Sequence, residues 1–319
     1  MTPLSFSMLR ILSDCRFHSG EDIAKTLDVS RASICNAAKT LEAAGLEIDR
    51  IRGRGYRMSK ALEWLDRGKI LSLAGSPFEI EICDIIDSTN SELLRANGPH
   101  GRIVAAEMQT NGRGRMGRAW HASPGGALTF SISWRFDRGA GFLSGLSLAV
   151  GVALVRAMKT CDIEGISLKW PNDMLYSFHK LAGILIEVKG DMLGPTTAVI
   201  GIGINFRLSG KVRENIDQAV IDLESIPCRQ PGRNALFAAI LRELEGALDA
   251  FETGGFEAFR QEWTAHHAYH MKPVRMKLPS GKVEEGIVAG VSERGEILLD
   301  TARGRLAFSS GEVSLRGAS

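Results

Sequence analysis

Apolar residues recur at helical spacing from the start of the chain: Leu4, Met8, Leu9, Ile11 and Leu12 predict a first helix ending near Asp14-Cys15. Ser19-Gly20-Glu21-Asp22 has the form of a capping box, with the Ser19 hydroxyl accepting from the Asp22 amide, and opens a second helix through Leu27. After a tight turn at Asp28-Val29, Ser30 caps a third helix whose apolar positions are Ala32, Ile34, Ala38 and Leu41. Two short strands follow, Leu46 to Ile51 and Tyr56 to Met58, joined by a tip of Arg52-Gly53-Arg54-Gly55. Residues 62 to 74 predict a connecting helix, closed by Gly75-Ser76-Pro77 before a strand from Phe78 to Ile86. From there to about residue 270 strand and helix patterns mix without strict alternation, which predicts an α+β body.

Past Met271 the texture changes to short strands at Val274–Leu278, Val283–Val291, Glu296–Asp300 and Arg305–Phe308. Turn residues at 279–281, 292–295 and 301–304 separate them, as in a small β-barrel. The expected division is therefore 1–62, 63–270 and 271–319. Residues 212 to 233 carry no pattern that places them.

Two of the patterned strands have a second face of chemical interest. Leu128, Phe130, Ile132 and Trp134 alternate with Thr129, Ser131 and Ser133, so one side is core and the other can line a polar pocket. In Thr196 to Asn205, Gly201, Gly203 and Asn205 share one face while Ile200, Ile202 and Ile204 fill the other. Two missing side chains in a row leave room for a flat ligand against the backbone, or for tight packing of another element.

Composition narrows the class only modestly. Charged residues at 24% and hydrophobic ones at 44% of 319 residues are ordinary globular values. Lys+Arg 39 against Asp+Glu 37 cannot by itself argue for a polyanionic partner. Five scattered cysteines without a C-x-x-C pair indicate neither a disulfide framework nor a zinc site, and the expected compartment is the reducing cytosol. The longest apolar stretch, Phe142 to Val155, suits a buried helix better than a bilayer span, so no membrane partner is expected. Glycine is the outlier, 35 of 319.

Locally, residues 1 to 60 hold ten Lys/Arg against seven Asp/Glu, and Arg50, Arg52, Arg54 and Arg57 sit in the hairpin. Helix, short turn, helix and a basic wing predict DNA binding, with Arg52 and Arg54 on phosphates and Arg31, Ser33, Asn36 and Lys39 reaching base edges or backbone. A three-helix docking module is the plainer alternative. The glycine excess gathers in Gln109-Thr110-Asn111-Gly112-Arg113-Gly114-Arg115-Met116-Gly117-Arg118-Ala119-Trp120. It formally satisfies G-x-G-x-x-G, but Ser123-Pro124-Gly125-Gly126 breaks the helix that a dinucleotide turn must open. Arginines interleaved with glycines describe instead a loop that folds over several negative charges. Further on, Asp173 in Lys169-Trp170-Pro171-Asn172-Asp173 suits a magnesium or hydrogen-bonding role, and Lys180 can neutralise a carboxylate or α-phosphate. His266, His267 and His270 lack an evident fourth metal ligand, and a polar helix end accounts for them.

With Ile86-Asp87-Ser88-Thr89-Asn90, Lys180 to Gly183 and Gly201 to Asn205, these segments stand in the order typical of biotin protein ligases. With its head and tail, the chain resembles over essentially its whole length the bifunctional ligase/repressor class of that family. The match departs at Asn111, where a small Ala is common. The resemblance implies a winged helix-turn-helix, a mixed-sheet ligase domain and an SH3-like barrel. It implies that biotin and MgATP give biotinyl-5′-AMP and pyrophosphate, after which a lysine of a biotin carboxyl carrier domain attacks the mixed anhydride. Arg113, Arg115 and Lys180 are then the catalytic cations. Ser88, Thr89, Asn90, Gln109, Arg113, Gly114, Arg115 and Lys180 would contact biotin, over Gly201 and Gly203. Arg115, Arg118, Trp120, Asn172, Lys180 and Asn205 would hold the nucleotide, and Asp173 the metal. The loop would order only over ligand, and the adenylate-bound form would dimerise on operator DNA. A lipoate-type ligase, a transcription factor that only senses a ligand, and a nicotinamide enzyme are the competing readings.

Overall fold

The computed structural model describes residues 1–76, 78–190, 194–278, 281–309 and 314–317. Pro77, Pro279 and Ser280, which fall in two of the expected turns, lie outside them. The head comprises α1 (Pro3–Leu12), α2 (Gly20–Thr26), α3 (Arg31–Ala43) and the hairpin of β1 (Ile48–Ile51) with β2 (Gly55–Met58). Its caps are those expected from the sequence: Asp22 N–H donates to Ser19 Oγ at 3.0 Å and Ser33 N–H to Ser30 Oγ at 3.1 Å. In α3 the buried face is Ile34, Ala37, Ala38 and Leu41; Ala32 is exposed and Ala37 takes its place, because 34, 37, 38 and 41 follow the helical i, i+3, i+4, i+7 stripe.

The predicted helix from 62 begins only at α4 (Arg67–Ala74), where Asp66 caps by accepting from Lys69 N–H at 2.9 Å. Residues 62 to 65 stay outside the helix because backbone groups of 63 to 65 are used elsewhere. Leu65 N–H donates to Glu107 Oε1 at 2.7 Å, Glu63 C=O accepts from Arg233 at 2.7 Å, and Trp64 C=O accepts from Asn234 at 2.9 Å. A helix there would break all three bonds inside the protein.

The body is built on a seven-stranded sheet of order β3-β4-β5-β9-β8-β7-β6. The strands are β3 (Glu79–Ile86), β4 (Arg102–Gln109), β5 (Ala127–Phe136), β6 (Ile166–Lys169), β7 (Asp173–Tyr176), β8 (His179–Gly190) and β9 (Thr196–Asn205). Among the described strand pairs of this sheet only β3–β4 is parallel, which confirms the mixed, non-alternating α+β reading. α5 (Thr89–Arg95) packs on one face of the sheet. α6 (Leu146–Thr160), α8 (Arg233–Gly254) and α9 (Glu257–His266) cover the other, and the short α7 (Gly210–Glu214) follows β9. The main core lies between the sheet and α6/α8, with Phe130 against Phe237 at 4.5 Å between ring centroids. The alternation on β5 and β9 thus faces its large residues toward the helices and leaves Thr129, Gly201, Gly203 and Asn205 on the opposite side.

The tail is a five-stranded antiparallel sheet of order β13-β12-β11-β10-β14, the small β domain expected there. Its strands are β10 (Pro273–Lys277), β11 (Val283–Val291), β12 (Ile297–Thr301), β13 (Gly304–Phe308) and β14 (Ser314–Gly317); the last was not expected. The histidine group sits at the end of α9, where His267 stacks on Trp263 at 4.6 Å and His266 contacts Lys159 at 3.1 Å.

Candidate active site

A cavity of about 280 Å³ opens on the sheet face away from α6 and α8. One end is formed where β3 passes into α5. Ser88 caps α5 through Ser91 N–H at 3.4 Å, and Thr89 N–H donates to Gln109 Oε1 at 2.8 Å, tying this turn to the end of β4. Ser131 Oγ, from the polar face of β5, lies 2.6 Å from Thr89 Oγ1 and 2.5 Å from Asn90 Oδ1. Ser88, Thr89 and Asn90 and, some twenty positions on, Gln109 therefore form one polar wall.

The floor answers the question left by the two glycines: protein side chains use the space. A Cβ on Gly201 would run into Asn90 Oδ1, and one on Gly203 would sit 2.6 Å from the Trp120 ring. The indole of Trp120 lies on Gly203, and its Nε1 is buried without a hydrogen-bond partner among the described residues. An orphaned buried donor beside a cavity is the state expected of a group whose partner is a ligand.

Residues 112 to 120 fold over this floor as a narrow hairpin. Gly114 N–H donates to Arg118 C=O at 2.7 Å and Trp120 N–H to Gly112 C=O at 2.8 Å, with Arg113 bridged to Ala119. The tip turns through positive φ at Met116 (56°) and Gly117 (70°), and Met116 is exposed. Arg113, Gly114, Arg115 and Arg118 all line the cavity. Burial pulls the Arg115 guanidinium below its ordinary pKa, opposed by the nearby Asp173 carboxylate and reinforced by Arg118. Such a cation gains most from an incoming anion.

The far end is set by β7 and β8. Trp170 is buried and donates to Gly295 C=O of the tail at 3.0 Å, which fixes the turn that presents Asn172 and Asp173. Lys180 Nζ and Asp173 Oδ1 stand 2.6 Å apart, each side chain 16% exposed. This close ion pair ties the two side chains together at the far end of the cavity. No cluster of three His, Cys, Asp or Glu side chains placed to hold a metal occurs among the described residues. A single carboxylate suits a magnesium carried mainly by substrate phosphates and water. Asn172 Nδ2 donates to Ile184 C=O at 2.9 Å, and Asn205 Nδ2 donates to Ile221 C=O at 3.1 Å and Lys180 C=O at 3.3 Å. Both nitrogens are thus committed to backbone while their residues line the cavity.

Sequence reasoning missed the segment after α7. Asn215 to Gln218 and Val220 line the far end, held because Lys180 N–H donates to Ala219 C=O at 2.9 Å and Ile221 N–H to Lys180 C=O at 3.0 Å. A bridge of two residues has no periodicity to detect; the one local signal is the Ser209 cap of α7.

On the head, Arg31, Asn36 and Lys39 are exposed along α3 and Ser33 is half-buried in the Ser30 cap. The wing is less uniformly available than its composition implied. Arg57 is paired with Asp49 at 2.6 Å and Arg50 with Glu42 at 3.4 Å, while Arg54 lies over Phe17 at 4.3 Å and Arg52 is exposed.

The biotin/lipoate A/B protein ligase family matches residues 82–205, which hold this cavity apart from the segment after α7. A helix-turn-helix family matches 5–57 and the biotin protein ligase C-terminal domain 272–316. Over 98% of its length the chain is 32% identical to the bifunctional ligase/repressor BirA of Escherichia coli, of which it covers 97%. The chain belongs to the biotin protein ligase family. It is 31% identical, over 75% of its length and 90% of the relative's, to the biotin–[acetyl-CoA-carboxylase] ligase of Mycobacterium tuberculosis. Among solved structures it resembles the biotin protein ligase of Aquifex aeolicus in complex with biotin and ATP, with a TM-score of 0.66 and 28% identity over 75% of this chain and 99% of that one. That relation fits the α+β architecture and removes the nicotinamide alternative. No helix among the described residues is long and apolar enough to cross a membrane.

Proposed function

We propose that this biotin protein ligase family member activates biotin with ATP to biotinyl-5′-AMP and passes the biotinyl group to a lysine of a biotin carboxyl carrier domain, while its winged head makes it a biotin-responsive repressor. The observation that carries the reading is the convergence of Arg113, Arg115 and Lys180 on one cavity beside the Ser88–Asn90 wall. A biotin carboxylate and an ATP triphosphate repel each other, and fixed cations cancel that repulsion before the carboxylate oxygen attacks the α-phosphorus and pyrophosphate leaves. The polar wall of Ser88, Thr89 and Gln109 supports placing biotin at that end. Trp120, Arg118, Asn172 and the segment around Asn215 support the nucleotide at the other. Magnesium, when bound, would neutralise phosphate charge beside Asp173. In the second step the acceptor amine attacks the acyl carbon and AMP departs.

The Gly112–Trp120 hairpin is held by few backbone bonds, which supports a lid that tightens over the adenylate and excludes water. The division at 62/63 and 270/271, a cytosolic location and dimerisation of the adenylate-bound form on operator DNA complete the reading. Incubation of the chain with biotin, ATP and a carrier domain should add one biotinyl group, seen by mass. Lys180→Ala should abolish that labelling while the protein stays folded. Retained labelling would overturn the catalytic role of Lys180, and no labelling by the unaltered chain would leave a transcription factor that only senses its ligand. Amide exchange across 110–125 should slow on adding biotin and ATP; equal rates would sink the lid.

A further inference from the structure

Glu187, on β8, has no part in the chemistry above, yet two cavity residues converge on it. Its Oε2 accepts from Asn90 Nδ2 at 2.8 Å, and both its oxygens lie 3.2 Å from Arg113 Nη2. Asn90 is 3% exposed, and its Oδ1 is used by Ser131 at 2.5 Å. Asn90 has therefore no freedom to turn, and its amide stands over Gly201. Arg113 is held through one nitrogen: Nη2 also donates to Ser91 Oγ at 3.0 Å, while no hydrogen bond from Nε or Nη1 is found among the described residues. Arg113 and Asn90 line the cavity; Glu187 does not.

We propose that Glu187 is a positioning residue for biotin, fixing the Arg113 guanidinium by one corner and the Asn90 amide behind it so that the rest of the guanidinium faces the incoming carboxylate. The proposal rests on the biotin-ligase reading. Two effects of its charge oppose each other. An ion pair between side chains 39% and 26% exposed contributes little by itself, and a carboxylate on Arg113 also competes with the ligand's. Placement outweighs competition here, because Glu187 sits behind Asn90, out of the cavity, and leaves Nε and Nη1 of Arg113 without a hydrogen bond among the described residues. Removing Glu187 therefore weakens biotin binding; simple relief of competition would strengthen it.

The test is biotin-dependent ATP–pyrophosphate exchange by the full-length chain. Glu187→Ala should raise the KM for biotin about tenfold, leaving kcat and the KM for ATP within about twofold. Glu187→Gln keeps an acceptor for Asn90 and loses the charge, so it should raise the KM for biotin about threefold; it decides the matter if the alanine variant does not fold. Combined with Arg113→Ala, Glu187→Ala should add much less than its single effect, since the two act through one guanidinium. An unchanged or lowered KM for biotin, a parallel rise in both KM values, or full multiplicativity overturns the assignment of Glu187. Absence of exchange in the unaltered chain instead overturns the biotin-ligase reading beneath it.

Discussion

Arg233 and Glu107 form an ion pair of 2.7 Å with side chains 2% and 0% exposed, beneath the segment that joins the head to the body. Arg233 Nη2 donates to Ala127 C=O at 2.9 Å, while Nη1 donates to Glu63 C=O and Glu107. Glu107 Oε1 accepts from Leu65 N–H, and the Glu107 C=O from Gly125 N–H at 3.0 Å. One buried pair thus ties the inter-domain segment to both feet of the Gly-Arg hairpin. Glu107→Ala would leave Arg233 charged and buried, and should cost about 3–5 kcal/mol of stability by urea unfolding. Glu107→Leu with Arg233→Met should cost clearly less than Glu107→Ala, and a double variant as unstable as the single would refute this account.

Gly203→Ala tests the glycine floor. The added methyl would lie 2.6 Å from the Trp120 ring, so the indole must move off the sheet. Overpacking of this kind costs about 1–3 kcal/mol, and we expect the KM for ATP to rise about tenfold with altered tryptophan fluorescence. A variant with native fluorescence and native KM would show that Trp120 does not need this seat.

His267 gives a pH signature. Burial first, then the charges of His270 and Lys272, push its pKa from 6.5 down to about 3, and both ring nitrogens lack partners among the described residues. The unfolded chain takes up a proton near pH 6.5 that the folded chain refuses until about 3, so the stability tied to this group is present above 6.5 and lost as pH falls toward 3. His267→Phe keeps the ring stack on Trp263 and should lose about 2 kcal/mol less between pH 7 and 5, measured by urea unfolding at each pH. Parallel pH profiles for the two proteins would disprove it.

The wing arginines should differ in the DNA they engage. Arg52 is exposed, whereas Arg50 is paired with Glu42. Arg52→Ala should lower the slope of log affinity against log salt on duplex DNA by about 1, and Arg50→Ala should change it little. Equal effects would mean that the Glu42 pair opens on binding.

By itself the sequence determined what depends on neighbours in the chain. Caps such as Ser19 and Ser30, the strand alternation around Phe130 and Ile202, and the Gly-Arg run are fixed by local geometry and composition, and they carried the fold and the family. The family comparisons bore that out. Tertiary structure alone decided what fills the space the glycines leave, since Asn90 and Trp120 reach Gly201 and Gly203 from 111 and 83 positions away. It also decided that residues 62 to 65 are not helical, because Glu107, Arg233 and Asn234 take their backbone bonds, and that 215 to 220 close the far end of the cavity beside Lys180. Hydrogen bonds between distant segments leave no period in the sequence, and helix propensity near Leu62 is too weak to compete with them.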